Sequence, residues 1–151
     1  MASTLDILSN GRLELGLGSC APTNRHEAKP RGMKWTNISK RFQILEETIQ
    51  ICKEIWTQDR ANFNGKHFQV KDLACEPKPV QKPHPPILIA GTGEKVTLKL
   101  VAKYADKSNF GFVPLDVIEQ RLGVLRGHCV DVGRDYDSVE KTAEIGVIVH
   151  L

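Results

Sequence analysis

No run of apolar residues in this chain approaches the roughly 20 needed to span a bilayer as a helix; runs such as Ile87-Leu88-Ile89-Ala90 stop after one short element. The opening residues Met1-Ala2-Ser3-Thr4-Leu5-Asp6 have neither the basic start nor the apolar stretch of a secretory signal, so a cytoplasmic protein is expected. Excess charge of one sign is also missing. The net charge is +3, lysines and arginines are mixed with acids, and no basic run is interleaved with aromatics, which argues against nucleic acid or a membrane surface as a partner. Cys20, Cys52, Cys75 and Cys129 are far apart, and the absence of any Cys-x-x-Cys pair argues against a zinc site. Cys52 and Cys129 fall on apolar helical stripes and read as reduced core thiols. Cys20 lies beside a strand end and alone is weighed as lining a site, against the simpler reading of an inert small residue. No side chain stands out as a nucleophile.

The 151 residues, 40% of them apolar, can form one ordinary domain with a sizeable core. The richest segment runs from Glu76 to Asp106. Pro83, Pro85 and Pro86 are expected to hold the chain extended, and Ile87-Leu88-Ile89-Ala90 reads as a strand apolar on both faces, the pattern of a parallel sheet. Gly91-Thr92-Gly93 permits a tight turn, with Thr92 as the expected N-cap of a helix whose apolar positions are Val96, Leu100, Val101 and Tyr104. Backbone amides at that helix start would face a phosphate, and Lys95 would add charge. The competing reading is that Gly-Thr-Gly only caps a helix.

The remaining pattern repeats strand and helix. Arg12–Gly18 is expected as a strand, and Ser39–Trp56 as a helix with the stripe Phe42, Leu45, Ile49, Cys52 and Trp56. Asn62–Val70 alternates around Asn64-Gly65 and reads as a surface hairpin inserted before the next main strand. Lys107–Phe112 is expected as a third strand, Leu115, Ile118, Leu122, Leu125 and Cys129 as a third stripe ending before Gly133, and Ala143–Leu151 as a fourth strand. Such alternation means a parallel α/β sheet. At the ends, Thr4–Leu8 with Ser9-Asn10-Gly11 reads as the last turn of a helix and its cap, while Ile145, Val147, Ile148, Val149 and Leu151 would need a following helix. Four strands with covering helices are about half of a closed eight-stranded barrel of roughly 250 residues. The expectation is therefore one incomplete domain over residues 1–151: a partial (β/α)8 TIM barrel with an inserted hairpin.

Several ordered motifs carry a family resemblance over nearly the whole chain. They are Leu5–Gly18, Arg41–Glu47, Phe63–Lys66, Pro77–Gln81, Pro85–Lys95, Tyr104–Asp106 and Gly133–Asp135. Together the sequence resembles the luciferase-like monooxygenases, a barrel family of FMN-dependent and deazaflavin-dependent oxidoreductases. The resemblance implies a flavin, coenzyme F420 or FMN, across the carboxyl ends of the strands. Gly91, Thr92, Gly93 and Glu94 would then hold its phosphate, Gly18 and Ser19 would line the ring or ribityl chain, and Asn109 would face the same cavity. The Gly91–Lys95 turn and the Pro77–Gln81 segment look like the deazaflavin branch. The pair His26-Glu27 falls where relatives carry His-Glu in an active-site loop, but with Asn24-Arg25 before it and Ala28-Lys29-Pro30 after it. His26 suits a general acid or substrate hydrogen-bond donor, and equally a solvated loop histidine beside Arg25 and Lys29. His84 between prolines reads as structural, His128 lies on a helix beside Cys129, and His150 ends a strand.

The cofactor would supply the redox chemistry and the protein would orient a small-molecule substrate. The family's first three strands are not in this sequence, so the isolated chain is expected to lack turnover. Two other readings compete. Gly16-Leu17-Gly18-Ser19-Cys20-Ala21 matches a dinucleotide fingerprint of an NAD-binding Rossmann-like module, although Pro22-Thr23-Asn24-Arg25 does not open a helix. The other is a non-catalytic half-barrel that binds flavin or phosphate, or pairs with a second subunit through uncovered sheet edges; Leu13, Leu15, Leu17, Ile145 and Val147 would then favour a homo-oligomer.

Overall fold

The computed structural model describes residues 1–21, 24–28, 30–32 and 34–147. In chain order these form α1 (Ala2–Leu8), β1 (Leu15–Leu17), α2 (Arg25–Ala28), α3 (Ile38–Thr57), β2 (Ala61–Asn64) and β3 (Gln69–Leu73). There follow β4 (Ile87–Ala90), α4 (Thr97–Tyr104), β5 (Lys107–Asn109), α5 (Leu115–Asp131), a 3-10 turn (Tyr136–Ser138) and β6 (Glu140–Thr142). The residues cluster into two compact units, Met1–Gly11 with Gly18–His84, and Arg12–Leu17 with Pro85 onward.

In the first unit, α3 starts because Asn37 accepts a hydrogen bond from the Lys40 N–H at 2.8 Å, an N-cap that fixes the boundary. Leu45, Ile49 and Trp56 of the expected stripe are buried, while Phe42 and Cys52 are half-buried. At its other end Lys78 Nζ donates to the Ile55 and Gln58 carbonyls at 2.8 and 2.5 Å, taking up orphan acceptors of the last turn. Asp6, fully buried in α1, accepts from the Gln81 N–H at 3.0 Å and from Gln81 Nε2 at 2.7 Å. The Pro77–Gln81 motif is thus architecture: its lysine caps one helix and its glutamine clamps another.

The expected hairpin is present as β2 and β3, antiparallel, with Asn64 opposite Gln69. Its connection is the four residues from Gly65 to Phe68 rather than a two-residue Asn-Gly turn. The reason lies outside the hairpin. Glu47 of α3 accepts from the N–H groups of Lys66, His67 and Phe68, each at 2.9 Å, and a Cβ on Gly65 would collide with that carboxylate. Burial pulls the Glu47 carboxyl up, but these donors outweigh it and hold it below its ordinary value.

The second unit is a four-stranded parallel sheet in the order β1-β4-β5-β6. Ile87 and Ile89 are fully buried, as are Leu98 and Val101 of α4 and Leu125 and Cys129 of α5, and α4 packs on both β4 and α5. This is the βαβ pattern that the apolar strand and helical stripes imply. On the alternate positions Lys107 Nζ lies 2.5 Å from Glu14 and 2.9 Å from Glu140, tying the strands together. Its hydrogen bonds to Glu14 and then Glu140 raise the ammonium above its usual range. Asp106 fixes the register: its carboxylate accepts from the Ile87 N–H at 2.8 Å, its own N–H donates to the Ile87 carbonyl at 2.8 Å, and its carbonyl accepts from Glu140 N at 2.9 Å.

Several expectations are corrected. The fourth strand is Glu140–Thr142, not Ala143–Leu151; β6 can pair only as far as β5 runs, and β5 ends at Asn109, where the chain turns through Gly111 at φ 68°. Residues 143–147 are outside any strand and residues 148–151, including His150, lie outside the described residues. The same turn shortens the third strand, leaving Phe110 buried and Phe112 exposed. The first strand is likewise only Leu15–Leu17, and the segment 80–86 bends instead of running extended because Gln81 is clamped onto Asp6. Thr92 does not cap α4. That helix begins at Thr97 after a turn through Glu94–Val96, so Val96 is exposed while Leu100 and Val101 are buried. Leu115, at the start of α5, is exposed as well.

Candidate cofactor-binding site

The carboxyl end of β4 leads directly into the glycine turn. Gly91 adopts φ 125°, open to glycine but not to residues with a Cβ, and its N–H donates to the Asn109 carbonyl at 2.8 Å. The N–H groups of Thr92, Gly93 and Glu94 take no acceptor among the described residues. The Gly93 carbonyl accepts from Leu98 N at 3.0 Å, which binds the turn to α4. A Cβ on Gly93 would stand 2.8 Å from Thr97 Oγ1, so glycine is required by close approach. Lys95 is exposed beside the turn.

Glu94 is held at both ends by α5. Its carbonyl accepts from His128 Nε2 at 2.7 Å and its carboxylate forms an ion pair with the Arg121 guanidinium. The expected role of Glu94 at a phosphate is therefore confined to its backbone N–H, since the side chain is directed to α5. Asn109 is Ala90's register partner on β5. Its side chain donates to Thr142 Oγ1 at 3.1 Å and accepts from Gly111 N at 2.8 Å, so it shapes the rim of the sheet.

Gly91, Thr92, Gly93, Glu94 and Asn109 thus gather at the carboxyl ends of two neighbouring strands. Gly18, Ser19 and His26 belong to the first unit. A Cβ on Gly18 would meet nothing within 4 Å, and the Ser19 carbonyl accepts from Arg41 Nε at 3.0 Å. Arg41 also donates to the Thr36 carbonyl at 2.8 Å and stacks 4.1 Å over Trp35; with Arg25, Asn37 and Ile38 these residues line a cleft of about 450 Å³. His26 is on α2 with a 79% exposed side chain, 4.0 Å from Glu27, which pairs with Arg31 at 2.8 Å. Lys29 lies outside the described residues. Cys20 is exposed at φ 64°, Cys129 is buried, Cys52 and Cys75 are intermediate, and all four are free thiols. Burial pushes the Cys52 and Cys129 thiols up, consistent with unreactive positions. His84 stacks obliquely near Trp56, ring centroids 6.2 Å apart.

The dinucleotide alternative finds no helix to cap. Gly16 lies inside β1, Gly18–Ala21 are not helical, and among the described residues the next α-helix, α2, starts at Arg25 and has four residues. Among the described residues no three His, Cys, Asp or Glu side chains gather as a metal site, and no helix is long and apolar enough to cross a membrane.

Sequence reasoning missed Arg121, placed His128 only on a helix, and carried Asp106 and Arg134 only as members of family motifs. Arg121 and His128 are seven residues apart on α5, a spacing that puts both on one face beside buried Leu125. The Gly133–Asp135 motif is also structural. Gly133 (φ 67°) ends α5, Arg134 reaches the Val101 and Ala102 carbonyls at 3.4 Å, and Asp135 accepts from Asp137 N at 3.0 Å.

Parallel strands with covering helices and a glycine turn at their carboxyl ends define a segment of an eight-stranded α/β barrel. The chain belongs to the luciferase-like monooxygenase family, whose model matches residues 1–150. It is 36% identical over 111 residues to an F420-dependent glucose-6-phosphate dehydrogenase from Amycolatopsis mediterranei, covering 74% of this chain and 31% of that protein. An enzyme of the same name from Microbacterium testaceum is 31% identical over 150 residues, 98% of this chain and 43% of that protein. The pyrimidine monooxygenase RutA of Acinetobacter baylyi is 36% identical over 115 residues, 74% of this chain and 29% of that protein. In fold, the chain is similar to an F420-dependent secondary alcohol dehydrogenase in complex with an F420-acetone adduct, with TM-score 0.81, 19% identity, and coverage of 94% of this chain and 42% of that one. Riboflavin lyase with modified FMN and riboflavin gives TM-score 0.81 at 16% identity over 94% and 36%. The chain spans less than half the length of the relatives it matches.

Proposed function

We propose that this chain carries the cofactor-phosphate portion of a deazaflavin-dependent oxidoreductase that acts on a small molecule. The observation that carries this reading is the trio of unpaired N–H groups at Thr92, Gly93 and Glu94, placed where a parallel sheet presents its carboxyl ends. Three amides without an acceptor, one of them on an exposed glycine, fit a phosphate, and exposed Lys95 adds positive charge. Coenzyme F420 would supply hydride transfer when bound. The relatives named for F420 favour it over FMN. Asn109 would border the cofactor in its own unit, and Gly18 and Ser19 are proposed as cofactor contacts in theirs. His26 would act as a hydrogen-bond donor or proton donor to substrate, a role its exposure leaves it free to perform.

Fluorescence titration of the purified chain with F420 and FMN tests this reading. Binding of F420 at least about tenfold tighter than FMN, a difference near 1.4 kcal/mol, is expected; preference for FMN would move the protein to the other branch, and selective NAD binding would overturn the reading. The 151-residue chain alone is expected to bind without turnover, since it supplies four strands to a site built from eight. With β1 and β6 at the sheet edges, it is also expected to self-associate, which size-exclusion chromatography will show.

A further inference from the structure

We propose that Arg121 and His128 of α5 are positioning residues for phosphate recognition, acting through Glu94; this rests on the preceding reading of the Gly91–Glu94 turn. A carboxylate in a phosphate-binding turn is electrostatically adverse unless it is neutralised or directed away. Here it is both. The Glu94 side chain is ion-paired with Arg121, and its carbonyl is fixed by His128 Nε2 at 2.7 Å. One residue is therefore gripped through its side chain and its backbone, from two positions on the same face of one 17-residue helix.

The grip has a directional consequence. With its carbonyl committed to α5, the Glu94–Lys95 peptide cannot rotate freely, so Glu94 is held from its C-terminal side. The preceding end is fixed as well, by the Gly91 N–H on the Asn109 carbonyl at 2.8 Å and by Leu98 N on the Gly93 carbonyl at 3.0 Å. The Gly93 carbonyl shares its peptide with the Glu94 N–H, so that amide keeps one orientation, and the Thr92, Gly93 and Glu94 amides are left without an acceptor among the described residues. Arg121 Nε is buried and donates to no acceptor among the described residues. Such preorganisation favours an anion because little ordering remains to be done on binding. The grip needs a hydrogen on Nε2, which the Nε2–H tautomer of the imidazole supplies.

The test compares deazariboflavin with its phosphate monoester, ligands that differ only by the phosphate. Affinities are measured by fluorescence for the parent chain, Arg121→Met, Arg121→Lys, His128→Phe, His128→Gln and Gly93→Ala, each checked for folding by circular dichroism. The parent is expected to prefer the phosphate ester. Arg121→Met and His128→Phe should each reduce that preference about tenfold, the size of one charge-assisted hydrogen bond, while leaving deazariboflavin affinity unchanged. Arg121→Lys and His128→Gln, which retain a cation and a donor, should recover most of it and serve as the test if the larger changes do not fold. Equal weakening of both ligands, or no change in either, overturns the proposal. Loss of the preference in Gly93→Ala but not in the α5 variants overturns it alone; a parent with no preference overturns the reading of the turn itself.

Discussion

Two Gly-x-Gly runs end neighbouring parallel strands in this protein, and they are glycine for different reasons. At Gly91-Thr92-Gly93 the backbone demands it: Gly91 has a positive φ, and a Cβ on Gly93 would press on Thr97 Oγ1. At Gly16-Leu17-Gly18 neither glycine has a positive φ, and a Cβ on either would meet nothing within 4 Å. The first run is required by the protein's own packing, whereas the second leaves space that a ligand can use. A shared sequence signature therefore covers one turn built by internal contacts and one open position whose purpose lies outside the described contacts.

The comparison breaks most clearly at Gly93. Gly93→Ala should destabilise the protein by about 1–3 kcal/mol through the clash with Thr97, whereas Gly18→Ala should remain within about 0.5 kcal/mol of the parent. Thermal melts of both variants measure the contrast, and equal effects would remove the distinction. Asp106→Ala should cost about 1–3 kcal/mol, because the Ile87 N–H at the head of β4 loses its acceptor. That change would loosen the head of the strand that carries the pinned turn.

A smaller effect sharpens the contrast with the hairpin. Because the folded Glu47 carboxyl is held below its ordinary value, its contribution is present above the unfolded value near 4.5 and is lost as pH falls through the lower folded value. Protection of the Lys66, His67 and Phe68 amides, corrected for intrinsic exchange, should therefore fall in acid in the parent. In Glu47→Gln it should be weaker at neutral pH and insensitive to acid over that range. An unchanged acid response in this variant would assign the titration to another group.

Much of the second unit was legible because each element's burial matches its local period. The apolar run Ile87–Ala90 became a parallel strand, and Leu125 and Cys129 became the buried seam of α5. The sheet edge was not legible. Polar Glu140–Thr142 pairs because Asp106 and β5 offer backbone partners there, while the more apolar Ile145 and Val147 have no strand beside them. Long-range pairing outweighed β-propensity. The turn's position was readable from its glycines, but its support was hidden: Glu94 meets Arg121 and His128 only after α4 has folded the chain back. The same applies to Glu47, a polar residue on a helix that caps a loop about twenty residues later.

The most direct measurement is an amide-resolved NMR titration of the 151-residue chain with F420. The account predicts saturable shifts of the Thr92, Gly93 and Glu94 amides, with Gly91 moving less because its N–H is already bonded to Asn109. Saturable F420 binding that leaves those three amides unmoved would contradict it.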